Sequence, residues 1–199
     1  MVNNLTASEQ NSLETNVKQK PALSKDSGKG LLVIYTGRGK GKTTAALGLS
    51  LRALGHGQHV AFIQFIKGRW KYGEMEAANR FAGLLDFHIV GRGFTWKSDD
   101  LQKDFAAARS GWELAQKIIR QGRHRLIVLD ELTYLITYKI LTEEEILAVL
   151  QQRNPTTHVV ITGRGASEAL IQAADLVTEM QEIKHPYAAG IKAQQGIEF

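Results

Sequence analysis

From Gly30 onward, short apolar runs alternate with segments of helical pattern, and no other feature of the chain restricts its fold as strongly. The runs are LLVIYT (31–36), HVAFIQFI (59–66), LDFHIV (85–90), HRLIVLDE (124–131), HVVITG (158–163) and LVTEMQEI (176–183). Their length and β-branched content predict strands. Between them, Lys42 to Leu54, Gly73 to Ala82, Leu101 to Gln121, Glu143 to Gln152 and Ser167 to Ala174 read as helices. Such alternation joins strands by crossovers, so the expected class is α/β, a mainly parallel sheet with helices on both faces. A chain of 199 residues, 43% hydrophobic, supports one sizeable core. That core is expected over 30–199. Residues 1–29 are polar and nearly free of aromatics, so they are expected to form a tail that cannot fold alone. Leu13 and Val17 sit four apart in it, and Pro21 would interrupt any helix they anchor.

The first turn carries chemistry. In YTGRGKGKTTAALGL, from Tyr35 to Leu49, Gly37, Gly39 and Gly41 alternate with Arg38, Lys40 and Lys42, and Thr43 and Thr44 follow. A strand that enters a glycine-rich turn and then a helix presents backbone N–H groups and the positive end of the helix dipole to a polyphosphate. The usual phosphate loop reads G-x-x-x-x-G-K-[ST], and counting back from Gly41 puts its first glycine on Thr36. The loop is therefore one residue short. In it Lys42 would reach the phosphates and Thr43 would ligate a divalent metal.

A second strand, RLIVLDEL, ends in Asp130 and Glu131, the place where a carboxylate meets the metal of a phosphate loop. The same residues would also suit an acidic helix start, and which carboxylate touches the metal stays open. HIVGRGFTWK and VVITGRGAS each end a strand in Gly-Arg-Gly. Arg92 and Arg164 are thus either phosphate clamps or turn residues facing water. Phe94 and Trp96 stand two apart after the first of these turns, so in extended backbone both rings point to one side. They fit an apolar wedge or a buried loop anchor.

Charge and cysteine content narrow the partners. Lys and Arg number 25 against 20 acidic residues, a net charge of +5 that favours anionic ligands. With no cysteine, disulfides, thiolate metal sites and protein-thiol redox chemistry are excluded. The basic residues are spread along the chain with no aromatic-basic pattern for single strands, which argues against nucleic acid. The start MVNNLTASEQ lacks a leader pattern, and LLVIY and LIVL are too short to span a bilayer, so no membrane is expected and a cytoplasmic location is.

Taken together, TGRGKGKTTAALGL, FIQFIKG, GRGFTW, VLDELTY, ITGRGA and IKHPYAAGIKAQQGIEF resemble the CobA/BtuR (CobO) family of ATP:corrinoid adenosyltransferases, from about Gly30 to Phe199 and including the short loop. The resemblance implies a RecA-like P-loop fold, a homodimer, and transfer of the 5'-deoxyadenosyl group of ATP to the cobalt of a reduced corrinoid, with triphosphate released. It implies ATP reversed in the loop, so that C5' rather than the γ-phosphorus faces the nucleophile. It implies Mg2+ or Mn2+ at Thr43 with Asp130 or Glu131, and nucleotide contacts from Gly37 through Thr44 and from Arg164. Lys42 would assist the leaving group. Phe94 and Trp96 match the aromatic pair that displaces the lower axial ligand of Co(II), and an external flavoprotein-type donor would supply the electron. The tail before Gly30 would close over the corrinoid. The competing expectation is a P-loop ATPase or small-molecule kinase working on the γ-phosphate, against which the short loop argues.

Overall fold

The computed structural model describes residues 28–66, 73–91 and 101–198. Arg92, Phe94, Trp96 and the tail before Gly28 lie outside the described residues. Six strands form one sheet: β1 (Leu32–Thr36), β2 (Val60–Gln64), β3 (Leu85–Ile89), β4 (Leu126–Asp130), β5 (His158–Thr162) and β6 (Leu176–Glu179). Their order is β3-β2-β4-β5-β1-β6, and every pairing is parallel. All six carboxyl ends therefore emerge on one edge, the edge that binds ligands in open α/β sheets.

The helices are α1 (Lys42–Gly55), α2 (Gly73–Ala78), α3 (Leu101–Gln121), α4 (Thr133–Thr137), α5 (Glu143–Gln151) and α6 (Glu168–Ala173). The period-two alternation of strand side chains divides the core. Leu32, Ile34, Ile63, Leu129 and Ile161 turn to one face and pack with Ala108, Trp112, Ala115 and Ile119 of α3 and Ile146 and Leu150 of α5. Val33, Phe62, Val128 and Val160 turn to the other and pack with Ala46, Ala53 and Leu54 of α1. The sheet is thus covered on both sides, which explains why its inner strands read as nearly continuous apolar runs.

Three elements differ from the sequence expectation. The helix expected over Gly73–Ala82 is α-helical only to Ala78 and then tightens into a 3-10 turn over Asn79–Phe81. The strand expected to run to Ile183 stops at Glu179, where its one partner stops: Thr36, the last residue of β1, pairs with Glu179. The short α4, TYLIT, has weak helix formers and is held by burial of Leu135 and Thr133 instead. Among the described residues no helix is long and apolar enough to cross a membrane.

Trp112 is the largest fully buried side chain of the α3 face. Trp112→Ala should destabilise the protein by about 3–5 kcal/mol in urea denaturation; a loss under about 1 kcal/mol would mean that α3 does not anchor this core.

Candidate active site

Two residues beyond Phe62, Val128 and Val160 along their strands, and so on the same α1 face, stand Gln64, Asp130 and Thr162. All three are fully buried, and Gln64 is in register with Asp130. They meet beneath the start of α1. The Thr43 hydroxyl donates to Asp130 Oδ1 at 2.9 Å, and the Thr162 hydroxyl donates to the same oxygen at 2.7 Å. Gln64 Nε2 donates to Asp130 Oδ2 at 3.2 Å. The two strands whose ends carry the loop and the acidic pair, β1 and β4, are not neighbours, and β5 lies between them.

At Glu131 the chain leaves the sheet with a φ of 62°, left-handed backbone that a non-glycine residue adopts at a cost of about 1–2 kcal/mol. Its N–H donates to Thr162 Oγ1 at 2.9 Å. The turn separates two adjacent carboxylates. Asp130 stays buried under Thr43, whereas Glu131 lines a cavity of about 530 Å3.

That cavity is floored by the glycine loop, with Arg38, Gly39, Lys40 and Gly41 on its wall beside Lys42, Thr43 and Thr44. Gly37 has a φ of 96°, and a Cβ there would come within 2.4 Å of the Met180 carbonyl oxygen, so only glycine fits. The loop is pinned from that side, since Gly39 N–H donates to Met180 O at 2.7 Å. At α1 the N-cap is Gly41, with no side-chain cap and no acidic residue in the first turn. By contrast α5 caps itself with Thr142 and Glu145 and carries three glutamates in its first turn. The first-turn amides of α1 thus have no side chain competing with an incoming anion.

Lys42 is buried, and its ammonium donates to the carbonyls of Gly37 at 2.8 Å and Gly39 at 2.6 Å. Burial pulls its pKa below 10.5; Glu131 and Asp130 oppose that pull, and the Arg164 charge adds to it. Arg164 lines the same cavity. It is carried there by a tight turn: a Cβ on Gly163 would come within 2.0 Å of Thr133 Oγ1, and that hydroxyl donates to Arg164 O at 2.7 Å. Tyr134, also on the wall, has its phenol pKa raised by burial and by Glu131, against a smaller lowering by Arg164.

Several wall residues were not anticipated from the sequence. Glu74 and Tyr134 come from α2 and α4, and Gly196, Ile197 and Glu198 reach back from the far end of the chain. Glu198 pairs with Lys40 at 2.8 Å. No local pattern announces such contacts, although Tyr134 and Thr162 lie inside the strings VLDELTY and VVITGRGAS.

The donors suit a hard divalent cation. Among the described residues no cluster of three or more His, Cys, Asp or Glu is gathered to hold a metal. Next to the loop the wall offers the Thr43 hydroxyl and the Glu131 carboxylate, with Asp130 bonded behind Thr43; its other carboxylates are Glu74 and Glu198, the latter paired with Lys40. Few protein oxygens, with the remaining positions left to phosphate and water, match Mg2+ or Mn2+ bound together with a nucleotide.

Comparison with known proteins agrees with a nucleotide at this site. The family described as ATP:corrinoid adenosyltransferase BtuR/CobO/CobP matches residues 28–199. A corrinoid adenosyltransferase from Sinorhizobium sp is 44% identical over 184 residues, 92% of this chain and 86% of that protein. Another from Pseudomonas aeruginosa is 44% identical over 183 residues, 92% of this chain and 90% of that protein. Among solved structures, the flagellar accessory protein FlaH from Methanocaldococcus jannaschii is similar with a TM-score of 0.55 and 11% identity, covering 76% of this chain and 71% of that one. That likeness concerns the fold alone.

The burial of Lys42 has a consequence that pH reveals. Between its lowered pKa in the folded chain and 10.5 the unfolded chain binds more protons, so the contribution of Lys42 makes stability rise with pH in that window. A bound polyphosphate draws the proton back, so nucleotide affinity should fall as pH rises through the same window. Calorimetric titration in buffers of different ionisation enthalpy should show proton uptake there, and Lys42→Arg should abolish it. Lys42→Ala should slow turnover roughly a hundredfold. PH-independent affinity, or near-normal turnover of the alanine variant, would remove Lys42 from the site.

Proposed function

The chain belongs to the CobA/CobO/BtuR family of ATP:corrinoid adenosyltransferases, and from that premise we propose that its glycine-loop cavity holds ATP with C5' turned towards the cobalt of a reduced corrinoid. The observation that carries this reading is the uncapped α1 N-terminus, set in a loop one residue shorter than usual and ringed by Arg38, Lys40, Lys42 and Arg164. Such a site holds a triphosphate firmly. It is suited to making that triphosphate a leaving group.

The reaction needs one bond made and one broken. The cobalt electron pair of a Co(I) corrinoid forms the Co–C5' bond as the C5'–O bond breaks, and the bond electrons depart on the triphosphate oxygen. No proton moves, so no general base is required. Negative charge grows on the leaving oxygen, and the amides of the loop and α1 meet it together with Lys42. For this the Lys42 ammonium exchanges the Gly37 and Gly39 carbonyls for phosphate oxygens. Arg164 holds the other end of the triphosphate, and Glu131 and Thr43 orient the cation, with Asp130 fixing the Thr43 hydroxyl. When bound, Mg2+ or Mn2+ supplies further neutralisation of the phosphate charge.

The finer parts of the reading rest on family membership. They are a homodimer acting in the cytoplasm, an external flavoprotein-type electron donor, Phe94 and Trp96 as the wedge that displaces the axial ligand of Co(II), and residues 1–29 as a cover over the corrinoid. Excluding water at reactive cobalt gives the cover its purpose.

Incubation with MgATP and chemically reduced cobalamin should give the spectral change of adenosylation, with triphosphate as the phosphate product. Formation of ADP instead would establish γ-phosphate chemistry and overturn the reading.

The corrinoid side is tested by selectivity. Phe94→Ala, Trp96→Ala and removal of residues 1–25 should each leave ATP affinity near normal. The two aromatic variants should fail with Co(II) corrinoid and a weak reductant, recover with Co(I) supplied ready-made, and lose the four-coordinate Co(II) signal in electron paramagnetic resonance. Equal damage to ATP and corrinoid binding would reduce these residues to structural parts.

A further inference from the structure

Thr162 has a single hydroxyl proton, and the geometry commits it. A backbone N–H cannot accept, so the 2.9 Å contact from Glu131 N–H occupies a lone pair of Oγ1. The proton is then free to reach Asp130 Oδ1 at 2.7 Å. One buried hydroxyl therefore holds the side chain of the first carboxylate and the backbone of the second. The N–H it holds is that of Glu131 itself, the residue with a φ of 62°. Left-handed backbone of this kind persists only where its surroundings enforce it.

We propose that Thr162 is a positioning residue for the cation that accompanies the nucleotide: it decides which of two adjacent carboxylates faces the cavity and which stays behind to hold Thr43. Without the hydroxyl, the peptide between Asp130 and Glu131 keeps the bond that Phe65 N–H donates to its carbonyl at 3.1 Å but loses the one on its N–H, and the φ of Glu131 can relax towards ordinary values. Glu131 then leaves the wall it shares with Arg164 and Tyr134. At the same time the Asp130 carboxylate loses one of the three donors that fix its place, so the Thr43 hydroxyl is positioned less sharply. Both effects strike the cation. Neither removes an amide of the glycine loop or of α1, and Thr43, the α1 residue that the network holds, keeps Asp130 as its acceptor. The proposal rests on the reading that a divalent cation binds with ATP at Thr43, but it does not depend on what the nucleotide later reacts with.

The test uses Thr162→Val, which keeps the shape and removes the hydroxyl, and Thr162→Ser, which keeps the hydroxyl. Mn2+ binding to the full chain with ATP is read from the free-ion signal in electron paramagnetic resonance, and ATP binding is measured separately in EDTA. Thr162→Val should weaken Mn2+ about tenfold or more, the range expected for lost hydrogen bonds to charged groups. It should change ATP affinity in EDTA less than about twofold, and Thr162→Ser should restore Mn2+ binding. In a double-mutant cycle with Glu131→Gln, the combined loss in Mn2+ affinity should be less than the sum of the single losses, because one of the two routes by which Thr162 acts runs through Glu131. Equal loss of ATP binding with and without the cation would make Thr162 merely structural and overturn the proposal. So would unchanged Mn2+ affinity in Thr162→Val, failure of Thr162→Ser to restore it, or additive losses. A wild-type chain whose ATP binding ignores Mn2+ would overturn the cation reading and this proposal with it, whereas adenosyl transfer would be judged separately by its triphosphate product.

Discussion

The site depends on one acceptor, the carboxylate of Asp130. Hydroxyls from α1 and β5 and an amide from β2 converge on it, so three elements that are distant in sequence are tied at one buried point. Leaving any one of those donors unpaired in so dry a place would carry a desolvation penalty of about 1–3 kcal/mol. The network therefore serves two ends: it fixes α1 over the sheet, and it holds the Thr43 hydroxyl where a cation would need it. Packing alone achieves neither, since apolar contacts such as those of Phe62, Val128 and Val160 with α1 tolerate small slides that hydrogen bonds do not.

Around that fixed point the loop stores unmet electrostatic demand. The amides opening α1 lack a side-chain cap, and Lys42 is buried against carbonyls, where burial first and the Arg164 charge second lower its pKa. Each of these terms is relieved by a polyanion. The ion pair of Lys40 with Glu198 shows the same demand met partly from within, by a carboxylate from the end of the chain. With Lys40 half exposed and Glu198 largely covered, the pair is worth on the order of 1 kcal/mol, little enough for a nucleotide to outcompete.

The fold and the outline of the site were legible from local pattern. Six apolar runs became six strands, α3 runs over the predicted Leu101–Gln121, and the loop, Asp130, Glu131 and Arg164 could be picked out as strand-end chemistry. Boundaries were less legible where a partner sets them, as with β6, which ends where β1 does. The weakly helical TYLIT of α4 escaped because burial rather than propensity makes it a helix.

Sequence by itself determined the parallel α/β class, the short cradle and its chemistry, because periodicity and glycine spacing act over a few residues and need no distant partner. Tertiary structure alone decided the strand order that inserts β5 between β1 and β4. From that order came the roles of Thr162 and Gln64, the division of labour between Asp130 and Glu131, and the return of Glu198 to Lys40. The reason is that a hydrogen bond across the sheet is set by register and strand neighbourhood, whose sequence separation carries no period. Two adjacent acidic residues look equivalent along the chain until a backbone turn, held from another strand, sends them to different places.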